Sequence, residues 1–438
     1  MPIVASAHRP RRRTLLVPAL ALLPALAACG GEAGDGRRAD EGAAVAFGAF
    51  DTLPTPAGAG SAEPNLATAP DGRVWLSWLE PGADSAPALR VASLGAGDTA
   101  WSAAHTVVAD RTLFVNWADF PSVLPLGEGR LVAHWLQRNG GGRSAYDVRM
   151  ARSADGGATW SAPVVPHTDG TPTEHGFVAL WPAAGDSVAA LWLDGRKYAG
   201  TGGGHDGHGG GEMTLRAAHL AADGGIGAEQ ELDARTCDCC QTSAALTSRG
   251  PVVVYRDRSA EEIRDISAAR FTDGRWSAPT PVHADGWEIA ACPVNGPAIA
   301  ARDERAVVAW FTGAQDTARV RVAFSGDAGA TWGAAARADD GTPVGRVDVE
   351  LLDDGSAALL WLERTGGEGA AVRLRRVAAD GTLGPALTVA ESQAARSAGF
   401  PRMARSGDVL YLSWTEPGTP SRVRVARVHL AAGAADAP

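Results

Sequence analysis

Two sets of residues in this chain could do chemistry. The first is Cys237-Asp238-Cys239-Cys240 with a distant Cys292. Four sulfurs in this pattern can form two disulfides, with three possible pairings, or bind a soft ion such as Cu(I) or Zn(II) as thiolates. An even count in an oxidising compartment points to disulfides. A His205-Asp206-Gly207-His208 run and Met213 lie upstream in a glycine-rich loop, but the spacing matches no closed ligand set. Neither a metal nor an organic cofactor is therefore expected. The second set interleaves acids with arginines: Asp119, Glu174, His175, Asp194, Arg196, Arg256, Asp257, Arg258, Glu262, Arg264, Asp265, Arg346 and Arg402. Guanidinium–carboxylate forks suit an internal lattice or an acidic ligand equally well. If exposed, such pairs are worth only ~0–1 kcal/mol each and merely solvate a surface.

The elements that must position these residues are strands. The chain has 438 residues, 50 acidic and 40 basic, a net charge of −10 that excludes a nucleic-acid binder. Its 54 glycines, 27 prolines and 14 tryptophans suit short strands joined by tight turns. An apolar strand ending near Trp recurs as Arg73–Leu79, Arg130–Leu136, Ser187–Leu193, Val252–Arg256, Ala306–Phe311, Ala357–Leu362 and Val409–Trp414. After each comes an alternating strand: Leu89–Leu94, Asp147–Arg152, Met213–Leu220, Ile263–Arg270, Val320–Phe324, Val372–Val377 and Val423–Leu430. The repeat is the size of a propeller blade.

Two Asp/Gly turns follow the alternating strand in full form, Ser153-Ala-Asp155-Gly-Gly157-Ala-Thr159-Trp160 and Ser325-Gly-Asp327-Ala-Gly329-Ala-Thr331-Trp332, with worn versions at Asp98, Asp223, Asp273 and Asp380. These turns resemble the Asp-box, or bacterial neuraminidase repeat, of sialidase-like β-propellers. The fold expected is all-β, a propeller of seven blades, with the six of true sialidases as the alternative. The seventh unit lacks a fourth strand, and Ala44–Phe50 precedes the first unit without a partner, so this N-terminal strand is expected to close the ring. The Asp-box aspartates read as structural fasteners. Strand polarity sends them to one face of the ring and the charged and sulfur-bearing loops to the other, where the innermost strands begin.

The resemblance implies sialidase chemistry only in part. True sialidases add three arginines, a Tyr–Glu nucleophile pair, an Asp acid/base and an arginine-bearing entry segment. Here that segment reads Ser61-Ala-Glu63-Pro64-Asn65-Leu66, without arginine. Arg256, Arg346 and Arg402 could supply a clamp, and Tyr255, near Glu261 and Glu262, a nucleophile.

Arg9, Arg11, Arg12 and Arg13 precede an apolar run too short to span a bilayer, ending Leu26-Ala27-Ala28-Cys29. This resembles a bacterial lipoprotein signal, which implies lipidation of Cys29 and, with Gly30 following, the outer membrane. Arg12-Arg13 also resembles a twin-arginine export signal. The organisation expected is a signal over 1–28, lipidated Cys29 and a tether over 29–43, a propeller over 44–431, and a disordered tail over 432–438. Function is then expected to be that of a monomeric envelope lipoprotein, its lipid in the bilayer, binding a glycan or an envelope protein on the polar channel face. The alternatives are a glycoside hydrolase of the exo-alpha-sialidase class and a metal- or thiol-handling envelope protein.

Overall fold

The computed structural model describes residues 47–200 and 211–430; the predicted signal, Cys29, the tether, the 205–208 histidines and the C-terminal tail lie outside the described residues. Seven antiparallel sheets follow one another along the chain and make a seven-bladed β-propeller. The innermost strands, in chain order, are Ala62–Thr68, Ser122–Gly127, His175–Pro182, Ser243–Thr247, Ala298–Arg302, Pro343–Leu351 and Arg402–Ser406. Ring closure is as expected. Phe47–Leu53 pairs antiparallel with Arg422–Leu430 and becomes the outermost strand of blade 7. The first three residues of the predicted strand, 44–46, lie outside the described residues.

The Trp strands are second in each blade and are covered on both faces, which is why they read as unbroken apolar runs. All seven residues of Val188–Asp194 are buried. Trp78, Trp192, Trp310 and Trp361 are completely buried between blades, each removing on the order of 200 Å² from water, an upper limit of about 5 kcal/mol of transfer free energy. Their indole N–H groups need acceptors. Residues i and i+2 of a strand share a face, so the acid two positions on supplies them: Trp78 donates to Glu80 at 2.8 Å, Trp192 to Asp194 at 2.9 Å and Trp361 to Glu363 at 2.7 Å. Trp310 instead donates to Asp285 of the preceding blade at 2.7 Å.

The two full Asp turns are built alike. Asp155 accepts from the Thr159 backbone N–H at 2.9 Å, the Thr159 hydroxyl at 2.6 Å and the Ser153 hydroxyl at 2.9 Å. Asp327 repeats this with Thr331 and Ser325. Gly157 and Gly329 sit at φ of 86° and 75°, where a side chain would be strained.

Two departures from the repeat have local causes. Blade 2 has three strands, because Pro163 and Pro166 remove ladder donors after its Asp turn and leave a single bridge between Met150 and Val164. In blade 4 the third strand starts at Ile266 rather than Ile263, since Glu262 adopts φ of 62° and the 257–265 segment forms a charged loop.

Candidate functional site: the channel mouth of blades 2 to 5

The innermost strands enter the ring irregularly. Glu63, Phe177 and Arg346 have φ of 51°, 53° and 54°, each beside a register shift in the pairing of its strand. Such bulges turn side chains toward or away from the channel axis. A cavity of 180 Å³ fills the upper channel, with Asp119, Phe120, Gln241, Phe400 and Arg402 near its mouth. The segment Asn116–Phe120 crosses that mouth. Gln241 of blade 4 donates to the Ala118 carbonyl at 2.6 Å, Arg346 of blade 6 stacks over Trp117 at 4.6 Å, and Phe120 lies 5.6 Å from Phe400 of blade 7. Arg402 reaches Phe120 at 5.6 Å and Asp348 at 3.5 Å. The mouth therefore brings aromatic, cationic, acid and amide side chains together.

Asp119 is buried and accepts from the Phe177 N–H at 2.8 Å and the Tyr146 hydroxyl at 2.9 Å. Tyr146 also bonds Glu174, at 2.6 Å. Burial pushes the Asp119 carboxyl up to about 7 despite those two hydrogen bonds. Burial, with the Asp119 charge adding to it, drives Glu174 well above the ordinary carboxyl range. Gly176 is required between them, since a Cβ there would collide with the Asp119 carboxylate and the Tyr146 ring.

Next to this trio, His175 stacks on His167 with ring centroids 3.8 Å apart. Asp169 lies 3.2 Å from both imidazoles, and Asp194 lies 3.7 Å from His175. Burial would lower the His175 imidazole, but its contact with Asp169 and the Asp194 charge outweigh it and raise the pKa. Arg196 forks onto Asp194 at 2.7 Å and reaches Glu229 at 2.7 Å. Asp194 is thus held by Trp192, Arg196 and His175 at once.

The blade 4 arginines serve different duties. Arg256 is buried, stacks on Trp287 at 4.8 Å, and donates to the carbonyls of Asn295, Arg264 and Phe311, spanning neighbouring blades. Asp257 accepts from Ser267 at 3.1 Å, and Asp265 holds the Gly286 and Trp287 N–H groups at 2.8 and 3.0 Å. Arg258 pairs with Glu262 at 2.7 Å and with Asp238 at 3.2 Å; Arg264 pairs with Glu262 at 2.8 Å. Hydrogen bonds from Arg258, only partly countered by burial, bring Glu262 down to about 2. Arg346 is buried on the carbonyls of Ala395 and Gly399, and burial lowers its guanidinium to about 10. Tyr255 is buried with its hydroxyl on Asp233, turned away from Glu261 and Glu262. Arg256 and Arg346 thus have their donors on main-chain carbonyls, where a ligand carboxylate would need them.

The cysteines call for a correction. Cys237, Cys239, Cys240 and Cys292 are all free, in place of two disulfides. A turn at Asp238–Cys239 brings three buried sulfurs to one point, within 4.8 Å of each other, an arrangement for a shared centre rather than for bridges in pairs. Cys292, exposed on the next entry loop, contacts Cys239. Arg264 points its Nη1 at the Cys237 sulfur, 3.5 Å away.

No protein-family model matches the chain, and no curated protein does. Solved structures do. A protein of unknown function from Dyadobacter fermentans is 13% identical with a TM-score of 0.47, covering 88% of this chain and 99% of its own. A variant of the NanB sialidase from Streptococcus pneumoniae is 10% identical with a TM-score of 0.44, covering 90% and 93%. An alpha-L-arabinanase from Penicillium chrysogenum is 12% identical with a TM-score of 0.46, covering 88% and 98%.

Several members of the site were missed in the sequence: Tyr146, His167, Asp169, Glu229 and Gln241. Tyr146 carried a usable signal, because it starts the alternating strand of blade 2 and so sits on the charged face. His167 and Asp169 had none, since they occupy the irregular stretch that replaces a fourth strand.

Proposed function

We propose that the chain is a saccharide-binding propeller, held to an envelope membrane by lipid on Cys29, that seats its ligand at the channel mouth. One observation carries this reading: Phe120 and Phe400, the latter stacked on Trp117, line the cavity together with Asp119 and Gln241. Aromatic faces pack on the apolar side of a sugar ring and a carboxyl takes its hydroxyls, while the Gln241 amide is itself held by the Ala118 carbonyl and the Gly296 N–H. At ~30 Å³ per water, the 180 Å³ cavity holds about six waters, the scale of one hexose unit. Arg402 adds a cation to the same lining, which favours an acidic sugar.

A hydrolase is the second reading, favoured by one feature. Asp119, with its carboxyl near 7, keeps a proton close to neutral pH beside the Tyr146–Glu174 pair, as a general acid must. Against it stands the internal use of Arg256 and Arg346.

The test is a glycan array and calorimetry with the full chain in detergent, together with fluorogenic sialosides and arabinosides. Binding without turnover, weakened at least tenfold by Phe400→Ala, supports the binding reading. Turnover abolished by Asp119→Asn would replace it with the hydrolase. No saccharide bound at all would end both.

A further inference from the structure

Separate from the sugar-sized cavity, the sulfur cluster has the makings of a second site. Cys237 ends the passage from the outermost strand of blade 3, Gln230–Thr236, into the innermost strand of blade 4, and its N–H is pinned to the Arg256 carbonyl at 3.1 Å. The following turn folds Cys239 and Cys240 back toward it. Free cysteines are often inert small hydrophobes, but such a thiol needs no cation. Here Arg264, itself only 3% exposed, spends a guanidinium N–H on the Cys237 sulfur. A desolvated guanidinium is costly unless it faces negative charge. Glu262 answers one edge of it, and the other edge faces the Cys237 sulfur, with the Asp238 carboxylate 3.8 Å away.

We propose that Cys237, Cys239 and Cys240 form a thiolate site for a thiophilic metal ion, occupied by Cu(I) in three-sulfur coordination, with Cys292 as the entry ligand at the solvent edge. Thiolates select soft ions, and among the described residues no imidazole or carboxylate joins the three sulfurs within 4.8 Å. Metal–sulfur bonds of about 2.3 Å put the sulfurs of a planar three-coordinate centre roughly 4.0 Å apart. Three sulfurs already within 4.8 Å of one another need only a small contraction to reach such spacings. Binding to three thiols releases up to three protons and leaves a complex of charge −2. Arg264 beside Cys237 and Arg256, whose charge acts on Cys240, offset that charge.

The experiment uses the full chain, reduced and anaerobic, titrated with Cu(I) against a chromogenic chelator and separately with Zn(II). The expected result is one Cu(I) per chain with X-ray absorption showing three sulfur neighbours. Cys239→Ser and Cys240→Ser should each weaken it by at least 100-fold, while Cys292→Ser, at an exposed position, should keep equilibrium affinity within about tenfold and slow uptake. Because serine at a buried position can disturb folding, the absorption spectrum of the unaltered chain is an independent readout. One Zn(II) held by all four sulfurs, lost on Cys292→Ser, would overturn the copper assignment. Four titratable thiols with no stoichiometric metal, or two disulfides in the chain as isolated, would overturn the site itself.

Discussion

The two ends of the ring use the same side chain in opposite ways. At the Asp-turn end, Asp327 and Asp155 sit near the surface, each carboxylate saturated by donors from its own turn, and both are brought down to about 2. At the channel mouth, Asp119 accepts two hydrogen bonds as well, yet burial lifts it to about 7. One hydrogen bond fewer than the three at each turn does not make so wide a gap; loss of solvent does. Hydration and local donors together keep the turn aspartates ionised and hold a hairpin shut. Away from water, two donors cannot offset the cost of the charge, and the carboxyl becomes a proton store. The ring is thus fastened at one end and chemically poised at the other.

That contrast can be broken most forcefully at Arg256. Its donors satisfy three main-chain carbonyls across neighbouring blades. Arg256→Met would leave those carbonyls dry and unpaired, at about 3–5 kcal/mol. Urea unfolding should register a cost of that size; a loss below about 1 kcal/mol would show that the mouth is not a rigid lattice.

The second effect is in pH. Because the folded carboxyl of Asp119 lies above its unfolded value of 3.8, the native state holds an extra proton between pH 3.8 and about 7. Stability from this group is therefore full below 3.8 and lost as pH rises to about 7, by on the order of 2–4 kcal/mol. The Asp turns act in reverse, their contribution present above 3.8 and lost as pH falls toward 2. Melting temperature should peak near pH 4–5. Asp119→Asn carries no charge and keeps one acceptor oxygen, for the Phe177 N–H, while its NH2 faces the Tyr146 hydroxyl as a donor, so it should flatten the alkaline limb and spare the acid limb. A profile unchanged by that substitution would remove the proton store.

Asp327→Ala is smaller. It deletes three hydrogen bonds of one turn, about 1–2 kcal/mol, and should leave ligand and metal binding at the opposite mouth untouched. Coupling between the two ends would appear as a weakened ligand with the fold intact.

Much of this was legible in the sequence, for identifiable reasons. The Trp strands, the Asp turns and the closing N-terminal strand follow from local periodicity and short motifs, which depend on neighbours in sequence. The face assignment followed from strand polarity alone, and it put Asp119, Asp194, Arg258 and the cysteines at one mouth. What each charged side chain does there was not legible, because the partners come from different blades. Arg256 and Arg346 resemble ligand clamps in the sequence, and only the fold brings the Asn295 and Gly399 carbonyls to them. The state of the cysteines depended likewise on a turn that points three sulfurs inward. Blade 2 lost its fourth strand to two prolines that were visible but whose consequence, freeing His167 and Asp169 for the site, was not.

The smallest expected effect concerns a worn turn. Asp380 accepts the Thr382 N–H at 2.9 Å, but its turn has no Ser–Thr–Trp frame like that around Asp327. It is fully exposed, so water can replace what it provides. Asp380→Ala should move the melting temperature by less than about 1 °C, against a measurable drop for Asp327→Ala under the same conditions. Equal losses would mean that a single Asp–backbone bond fastens each turn, whatever surrounds it. A difference would assign the fastening to the three-donor cage, and would explain why the ring tolerates worn turns in four of its blades.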